Sequence, residues 1–324
     1  MNVALIGGVS STLTALKMLN KYGFHSVKVY GYEPLNSSNV SGYRNLREKA
    51  LLCGYSYKGF DKINIHASEI KSAEYDYIFI VGLSQLVSNE IILSAKIGCI
   101  GFHPTKLPKG RGRAPIAWLI LEENEGAATF FQIQPDQDAD AGPILAQSSF
   151  NVDRECDTAA TIEKKILDNI VIALDELLPK LLVGDWVVKE QDNYLSSEYG
   201  IRRHNDGFID WRSDSEKIEK HIRSAMSPHP GAFAFIGYDV FEVQLSSKKD
   251  LSNIKGVVGR VLKKNGSDYL IQTGNGCLWI ETNYELKVGS QLGVYGPYEL
   301  YLLNKRVKDL ENEVARLVNK IDSL

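Results

Sequence analysis

Apolar runs alternate with amphipathic stretches through the first half of the chain, and their period identifies the elements. Residues 2–6 (NVALI) form an apolar run closed by Gly7-Gly8. Ser10, Ser11 and Thr12 then offer hydroxyls to cap a helix carrying Leu13, Leu16, Met18 and Leu19. Val27 to Tyr32 reads as a second strand. Strand, glycine turn, helix, strand is the opening of an open parallel α/β sheet. From Ser41 the segment SGYRNLREKALLCGY predicts a polar-faced helix. Tyr75 to Val81 ends in a dense apolar strand of the kind buried on both faces, closing at Gly82-Leu83-Ser84-Gln85 before a helix through Ile91, Ile92 and Leu93. Cys99 to Phe102 is the next strand, and Ser148 to Val152 runs into the helix-capping pair Asp157-Thr158. Ile162, Ile166, Ile170, Leu174 and Leu177 stand at helical spacing, which predicts one core-facing helix over 161–182.

Polar residues from Gln191 to Asn205 break this pattern, so a first domain is expected over 1–192. Beyond it, Val257 to Leu262, Tyr269 to Thr273 and Cys277 to Thr282 are β-like runs separated by the turns KKNGSD and GNG. That rhythm predicts a small β-barrel domain over 193–297. The tail, 298–324, carries Leu300, Leu303, Val307, Leu310, Val314, Leu317, Ile321 and Leu324 at alternating spacings of three and four. With Leu303 at d, the a positions are mostly β-branched and every d is Leu, which predicts a parallel two-stranded coiled coil and hence a homodimer. Arg306 at g faces Glu311 at the partner helix's e position. LENEVARL (310–317) is also identical to a stretch of a characterised leucine zipper, although the basic DNA-binding region of such factors is absent.

Composition narrows the class. The 324 residues are 44% hydrophobic and 24% charged, enough apolar content for a real core. A formal charge of −3 argues against a large nucleic-acid footprint, which normally needs a clearly basic face. MNVALIGGVSS has no basic flank of the signal-peptide kind, and no run approaches the ~20 apolar residues that span a bilayer. Cysteines at 53, 99, 156 and 277 are scattered and read as reduced thiols, so a cytoplasmic protein is expected. GGVSST departs from GxGxxG, and tight packing of that turn is favoured over a dinucleotide site. His204, His221 and His229 are too dispersed to predict a metal site.

The chemistry concentrates between Cys99 and Leu145. His103 sits just past a strand, ahead of a Pro- and Gly-punctuated loop rich in Lys and Arg, and Asp140 closes an Asp-rich loop. A His and an Asp on loops at the ends of two apolar runs form a candidate acid/base pair. Arg111 and Arg113 flank a glycine beside that pair, where guanidinium groups suit phosphate or carboxylate. Asp136 and Asp138 precede Asp140 as a solvated acidic loop, with no metal expected.

HPTKLPKGRGRAP (103–115) resembles the HPSLLPxYRGxxP signature of the N10-formyltetrahydrofolate-dependent formyltransferases, and DAGPIL (140–145) resembles their DxGxI signature. The order and separation of the two motifs also fit, and the resemblance extends through the IDW and PHPGAF segments to about Pro297. It implies a Rossmann-like parallel-sheet formyltransferase domain, an OB-like β domain, and N10-formyltetrahydrofolate as co-substrate, with no metal. By that resemblance His103 is the catalytic base and Asp140 its partner. An amine attacks the formyl carbon only with its lone pair free, so a group titrating near neutrality must take its proton. The tetrahedral intermediate then needs a donor for its oxyanion. The family normally has Asn two residues before the His, where this chain has Gly101; Gln132 is nominated as the substitute donor. Phe131 stands where sugar-modifying members often have His.

Carried over further, the resemblance nominates Ser84, Gln85, Leu86, Val87, Asp136, Gln137 and Asp138 for cofactor contact. Thr105, Lys106, Arg111 and Arg113 are nominated for substrate contact. The GRGR-type loop is most similar to sugar N-formyltransferases of the pseudaminic-acid-pathway type. That implies a nucleotide-linked amino sugar, best matched by a UDP-linked 4-amino-4,6-dideoxy sugar. Methionyl-tRNA formyltransferase, a formyltetrahydrofolate hydrolase and a non-catalytic folate- or nucleotide-binding protein are the alternatives.

Overall fold

The computed structural model describes residues 1–37, 40–122, 125–237, 239–246, 253–293 and 298–321. The chain divides into two compact units, Met1–Ile201 and Arg202–Leu324.

In chain order, the first unit carries β1 (Asn2–Gly7), α1 (Ser10–Lys21), β2 (Ser26–Tyr32), α2 (Arg47–Leu52), β3 (Ser56–Phe60), α3 (Ala67–Ser72), β4 (Tyr77–Ile80) and α4 (Asn89–Ile92). It continues with β5 (Gly98–His103), β6 (Arg111–Gly112), α5 (Pro115–Glu122), β7 (Glu125–Ile133), β8 (Ile144–Asn151), α6 (Ala159–Val183) and β9 (Glu198–Tyr199). The main sheet has the order β3-β2-β1-β4-β5-β7-β8. Its first five strands run parallel, β7 pairs antiparallel with β5, and β8 pairs antiparallel with β7 and so runs with the first five. Strand order reverses between β1 and β4, and in open α/β sheets ligands bind outside the carboxyl ends of the strands at such a point.

Strand alternation sends Val3, Leu5, Phe79, Ile100 and Phe130 into one core, shared with α1 and α6. Ala4, Ile6, Ile78, Ile80 and Cys99 enter the opposite core, shared with α3 and α4. Both faces are therefore covered, which explains the nearly unbroken apolar run of β4. As the sequence suggested, Thr158 caps α6, its side chain accepting from the Thr161 backbone N–H at 3.3 Å.

Three local expectations differ. The N-cap of α1 is Val9, and Ser10 to Thr12 lie inside the first turn. There Thr12 Oγ1 accepts from Val9 N–H at 3.2 Å and donates to the Val81 carbonyl at 2.6 Å, tying the start of α1 to the residue after β4. The helix expected from Ser41 forms only as α2. Its first residues instead hydrogen-bond to the β1 turn, Ser10 N–H to Gly42 O at 3.0 Å and Arg44 N–H to Gly8 O at 2.9 Å. Finally, the units part after Ile201 rather than at 192, because β9 pairs with β6 and so belongs to the first unit.

The second unit has α7 (Ser215–Ala225), β10 (Ala232–Ile236), β11 (Asp239–Leu245), β12 (Val261–Asn265), β13 (Asp268–Gln272), β14 (Cys277–Glu281) and α8 (Tyr298–Ile321). The strands form an antiparallel sheet in the order β10-β11-β14-β13-β12 over a core containing Trp211. In strand order β10 and β12 are the ends of this sheet, and residues 289–293 run between them: Val261 N–H donates to Ser290 O at 3.0 Å beside β12, and Gly293 N–H donates to Phe235 O of β10 at 2.9 Å. In α8, Tyr301 stacks on Phe235 of β10 at 6.2 Å between ring centroids. Beyond that anchor the a and d residues are bare, Leu303 60% and Val314 58% exposed. The last d residue, Leu324, and Pro297 lie outside the described residues.

Candidate active site

His103 ends β5, and the β5–β7 register sets which side chains accompany it. His103 pairs with Thr129 and Gly101 with Phe131, so these four share one face, while Gln132 pairs with Ile100 on the other. Gln132 therefore does not reach His103. It lines a small cavity with Tyr77, Gly98, Ile100, Leu145 and Trp186, which corrects its nomination as the oxygen donor. The positions of Gly101 and Phe131 are linked physically. A Cβ on Gly101 would lie 2.7 Å from Phe131 Cζ and 2.9 Å from Ile133 Cγ1. The Phe131 ring, packed with buried Leu107 and Ile144, thus occupies the room a side chain at 101 would need.

His103 is 5% exposed, and its ring faces acceptors at both nitrogens. Nδ1 lies 3.3 Å from Asp140 Oδ2, and Nε2 lies 2.9 Å from the Gly110 carbonyl. Only a doubly protonated ring can donate to both; the neutral ring donates to one. Asp140 reaches the imidazole from a left-handed backbone conformation, φ 59°. The same Oδ2 accepts the Gly112 N–H at 3.0 Å. Gly112 is required there: its φ is 100°, and a Cβ would stand 2.5 Å from the Tyr199 carbonyl oxygen. The loop after β5 thus contacts the acid through one glycine and the imidazole through another.

Residues 189–200 form a strap that backs this loop, and sequence reasoning missed them as a linker. The Gly110 N–H donates to Ser197 Oγ at 2.9 Å, and Arg111 and Arg113 donate their N–H groups to the Ser197 and Tyr199 carbonyls, each at 2.9 Å. Tyr199 stacks on Trp118 of α5 with ring centroids 5.0 Å apart. The Arg111 side chain, 8% exposed, donates from Nε and one terminal nitrogen to Gln191 Oε1 at 3.1 and 2.8 Å and to Asn193 Oδ1 at 2.8 Å. Gln191 Nε2 in turn donates to the Asp140 and Gly142 carbonyls, both at 2.7 Å. Arg111 is therefore engaged within the protein, whereas Arg113 is exposed.

Of the other nominees, Thr105 is 2% exposed and its Oγ1 has no hydrogen-bond partner, while its carbonyl accepts from Thr129 Oγ1 at 2.7 Å. Lys106 pairs with Glu125 at 2.7 Å on the surface. Asp136 of the second loop nominated for cofactor contact is held by the start of α4, which follows the first: Asn89 Nδ2 donates to Asp136 Oδ1 at 3.0 Å. Gln85 is occupied in holding its loop, accepting from Ile63 N–H at 3.0 Å and donating to Asp61 O at 2.6 Å. Leu86 is bare at 84% exposure, Ser84 is exposed and Val87 half-buried, and Gln137 and Asp138 are exposed. Cys99 lies in β5 four residues before His103, but burial pushes its thiol up to about 12, so it behaves as a small apolar side chain. Among the described residues no His, Cys, Asp and Glu cluster is gathered for a metal, and no helix is long and apolar enough to cross a membrane.

A family model described as "Formyl transferase" matches residues 58–178, and one described as "Formyl transferase, C-terminal domain" matches residues 202–288. WlaRD, a sugar 3N-formyl transferase solved in the presence of dTDP and 5-N-formyl-THF, superposes with a TM-score of 0.63 at 18% identity, covering 88% of this chain and 99% of that one. An N-formyltransferase from Helicobacter canadensis, in complex with folinic acid and dTDP-3-aminofucose, gives 0.62 at 18% identity over 88% of this chain and 100% of that one. Methionyl-tRNA formyltransferase from Clostridium thermocellum gives 0.54 at 20% identity over 88% and 100%. At these identities the likeness is one of fold.

Proposed function

Since the chain belongs to the formyl transferase family, and is an enzyme that transfers formyl groups, we propose that it formylates the amine of a nucleotide-linked amino sugar, with N10-formyltetrahydrofolate as donor. The observation that carries the reading is the nearly enclosed imidazole of His103 with the Asp140 carboxylate 3.3 Å from Nδ1, at the carboxyl end of a central parallel strand. In this reading the amine nitrogen attacks the formyl carbon and His103 takes the proton that the nitrogen sheds. The C–N10 bond then breaks, N10 receives a proton, and the products are a formamide and tetrahydrofolate. Asp140 orients the imidazole and stabilises its charged form during the transfer. For the ring to act as base, its Nε2 contact with the Gly110 carbonyl must give way to the incoming amine.

The acceptor class is supported by relatives that carry dTDP, one of them with a dTDP-linked amino sugar, and by a formal charge of −3, which disfavours tRNA. The donor reading is supported by the 5-N-formyl-THF and folinic acid in those relatives. The surface made by Ser84–Val87 and Asp136–Asp138 is proposed to receive the folate. The bare a/d stripe of α8 is proposed to pair with a second copy of the chain. A solitary helix of this length gains little stability from propensity alone, and its stripe is otherwise left to water.

The test is mass spectrometry after incubating the full chain with N10-formyltetrahydrofolate and a panel of UDP- and dTDP-linked amino sugars. UDP-linked 4-amino-4,6-dideoxy sugars are the expected acceptors. Gain of one formyl group, abolished in His103→Ala and strongly reduced in Asp140→Asn, supports the reading. Formate release without any acceptor identifies a hydrolase instead, and no gain across the panel sinks the sugar assignment.

A further inference from the structure

The His103–Asp140 pair is held by groups from distant parts of the chain, and one side chain joins them. Gln191 uses its whole amide. Nε2 donates to the carbonyls of Asp140 and Gly142 at 2.7 Å each, and Oε1 accepts from Arg111 Nε at 3.1 Å and from its terminal nitrogen at 2.8 Å. One end therefore grips the loop that presents the carboxylate. The other grips the residue between Gly110, whose carbonyl meets His103 Nε2, and Gly112, whose N–H meets Asp140 Oδ2. Asp140 has φ 59°, a conformation a non-glycine residue keeps only where its surroundings over-determine it, and Gln191 bonds to its own carbonyl and to that of Gly142.

We infer that Gln191 is a positioning residue for the reaction, acting with Arg111 as a clamp that locks the Asp140 loop to the Gly110–Gly112 loop and so fixes the carboxylate against His103. Gln191 touches neither His103 nor the Asp140 carboxylate, and acts on both through backbone. The inference assigns Arg111 to the clamp rather than to substrate, since a planar fork meeting an amide oxygen twice and Asn193 once spends its donors inside the protein. Arg113, one glycine further on, is exposed and is the guanidinium free to meet an anionic acceptor. This role rests on the proposed formyl transfer, but the clamp itself is testable without it.

Two readouts separate the questions. In the full chain Gln191→Leu keeps the side-chain bulk and removes all four bonds made by the Gln191 amide, leaving only the Arg111 bond to Asn193. It is expected to lower kcat by about 10- to 100-fold, the scale of a sub-ångström to 1 Å misplacement, while KM for the formyl donor moves little. Arg111→Ala is expected to lose kcat similarly and to recover part of it with millimolar guanidinium. At millimolar concentration that salt neither unfolds nor repairs a variant that has only been destabilised, so absence of recovery overturns the clamp. Hydrogen exchange followed by mass spectrometry supplies the second readout. Gln191→Leu should speed exchange in peptides spanning 107–113 and 138–144 together, although the substitution lies in neither. Unchanged kcat in a wild-type-active background, or unchanged exchange in either loop, overturns the inference. If the wild-type protein transfers no formyl group, the proposed function falls, and faster exchange in both loops still upholds the clamp.

Discussion

Gly101→Ala adds one methyl group, and the structure sets its cost. The new Cβ would stand 2.7 Å from Phe131 Cζ and 2.9 Å from Ile133 Cγ1, against the roughly 3.5–4.0 Å at which carbon atoms rest. The ring cannot simply retreat, because Phe131 is 4% exposed and packed against Leu107 and Ile144. Overpacking of this kind costs ~1–3 kcal/mol. In a unit of this size each kcal/mol lowers the melting temperature by about 2–4 °C. Phe131→Leu removes Cζ and opens the space, at part of the ~3–5 kcal/mol that full truncation of a buried Phe costs. If ring and glycine are matched, the double variant is more stable than the sum of the singles requires, by ~1–2 kcal/mol. Denaturant melts of the four proteins, followed by Trp fluorescence and calorimetry, give the cycle. Additivity within ~0.3–0.5 kcal/mol would refute the claim that Phe131 fills the place of a side chain at 101.

Two further outcomes are expected. Leu303→Lys with Leu310→Lys places charge in the seam of α8, so a protein that sediments as a dimer should become a monomer; a wild-type protein that is already monomeric at micromolar concentration removes the seam as an interface. Glu69 is bound by Lys28 at 2.8 Å and by Lys58, and hydrogen bonds from the two lysines hold its carboxyl down to about 2 from the usual 4.5. Because the folded-state value is depressed, this stabilisation is complete above about pH 4.5 and is lost as pH falls through about 2. Glu69→Gln should therefore flatten the decline in melting temperature across that window, and parallel declines in the two proteins would count against the pair.

The legible parts of the chain were those where one face of an element meets one core. The apolar stripe from Ile162 to Leu177 is α6, and the run ending in YIFI is a strand with both faces covered. Short elements that owe their form to distant partners were not legible. β3, with the sequence SYKGF, has no apolar alternation and is a strand because it pairs with β2. The helix read from Ser41 failed because Gly42 and Arg44 bond to the β1 turn, some 32 to 36 residues upstream. In the site, His103 and Asp140 stood out because their neighbours form recognisable motifs. Gln132 was misassigned because strand parity depends on a register that only the β5–β7 pairing sets. Gln191, Asn193 and Ser197 were invisible for a simpler reason: their contacts with the loop lie 80 to 87 residues away, and a polar stretch before a domain boundary reads as a linker.

That strap also decides how far the chain is modular. A fragment cut at 192, where the hydrophobic pattern fades, would keep His103 and Asp140 but leave the Gly110 and Arg111 N–H groups and one end of the Arg111 fork without their partners. Any graft of this catalytic unit onto another second domain must carry residues through Ile201, because the segment that leaves the first unit is also the back wall of its chemistry.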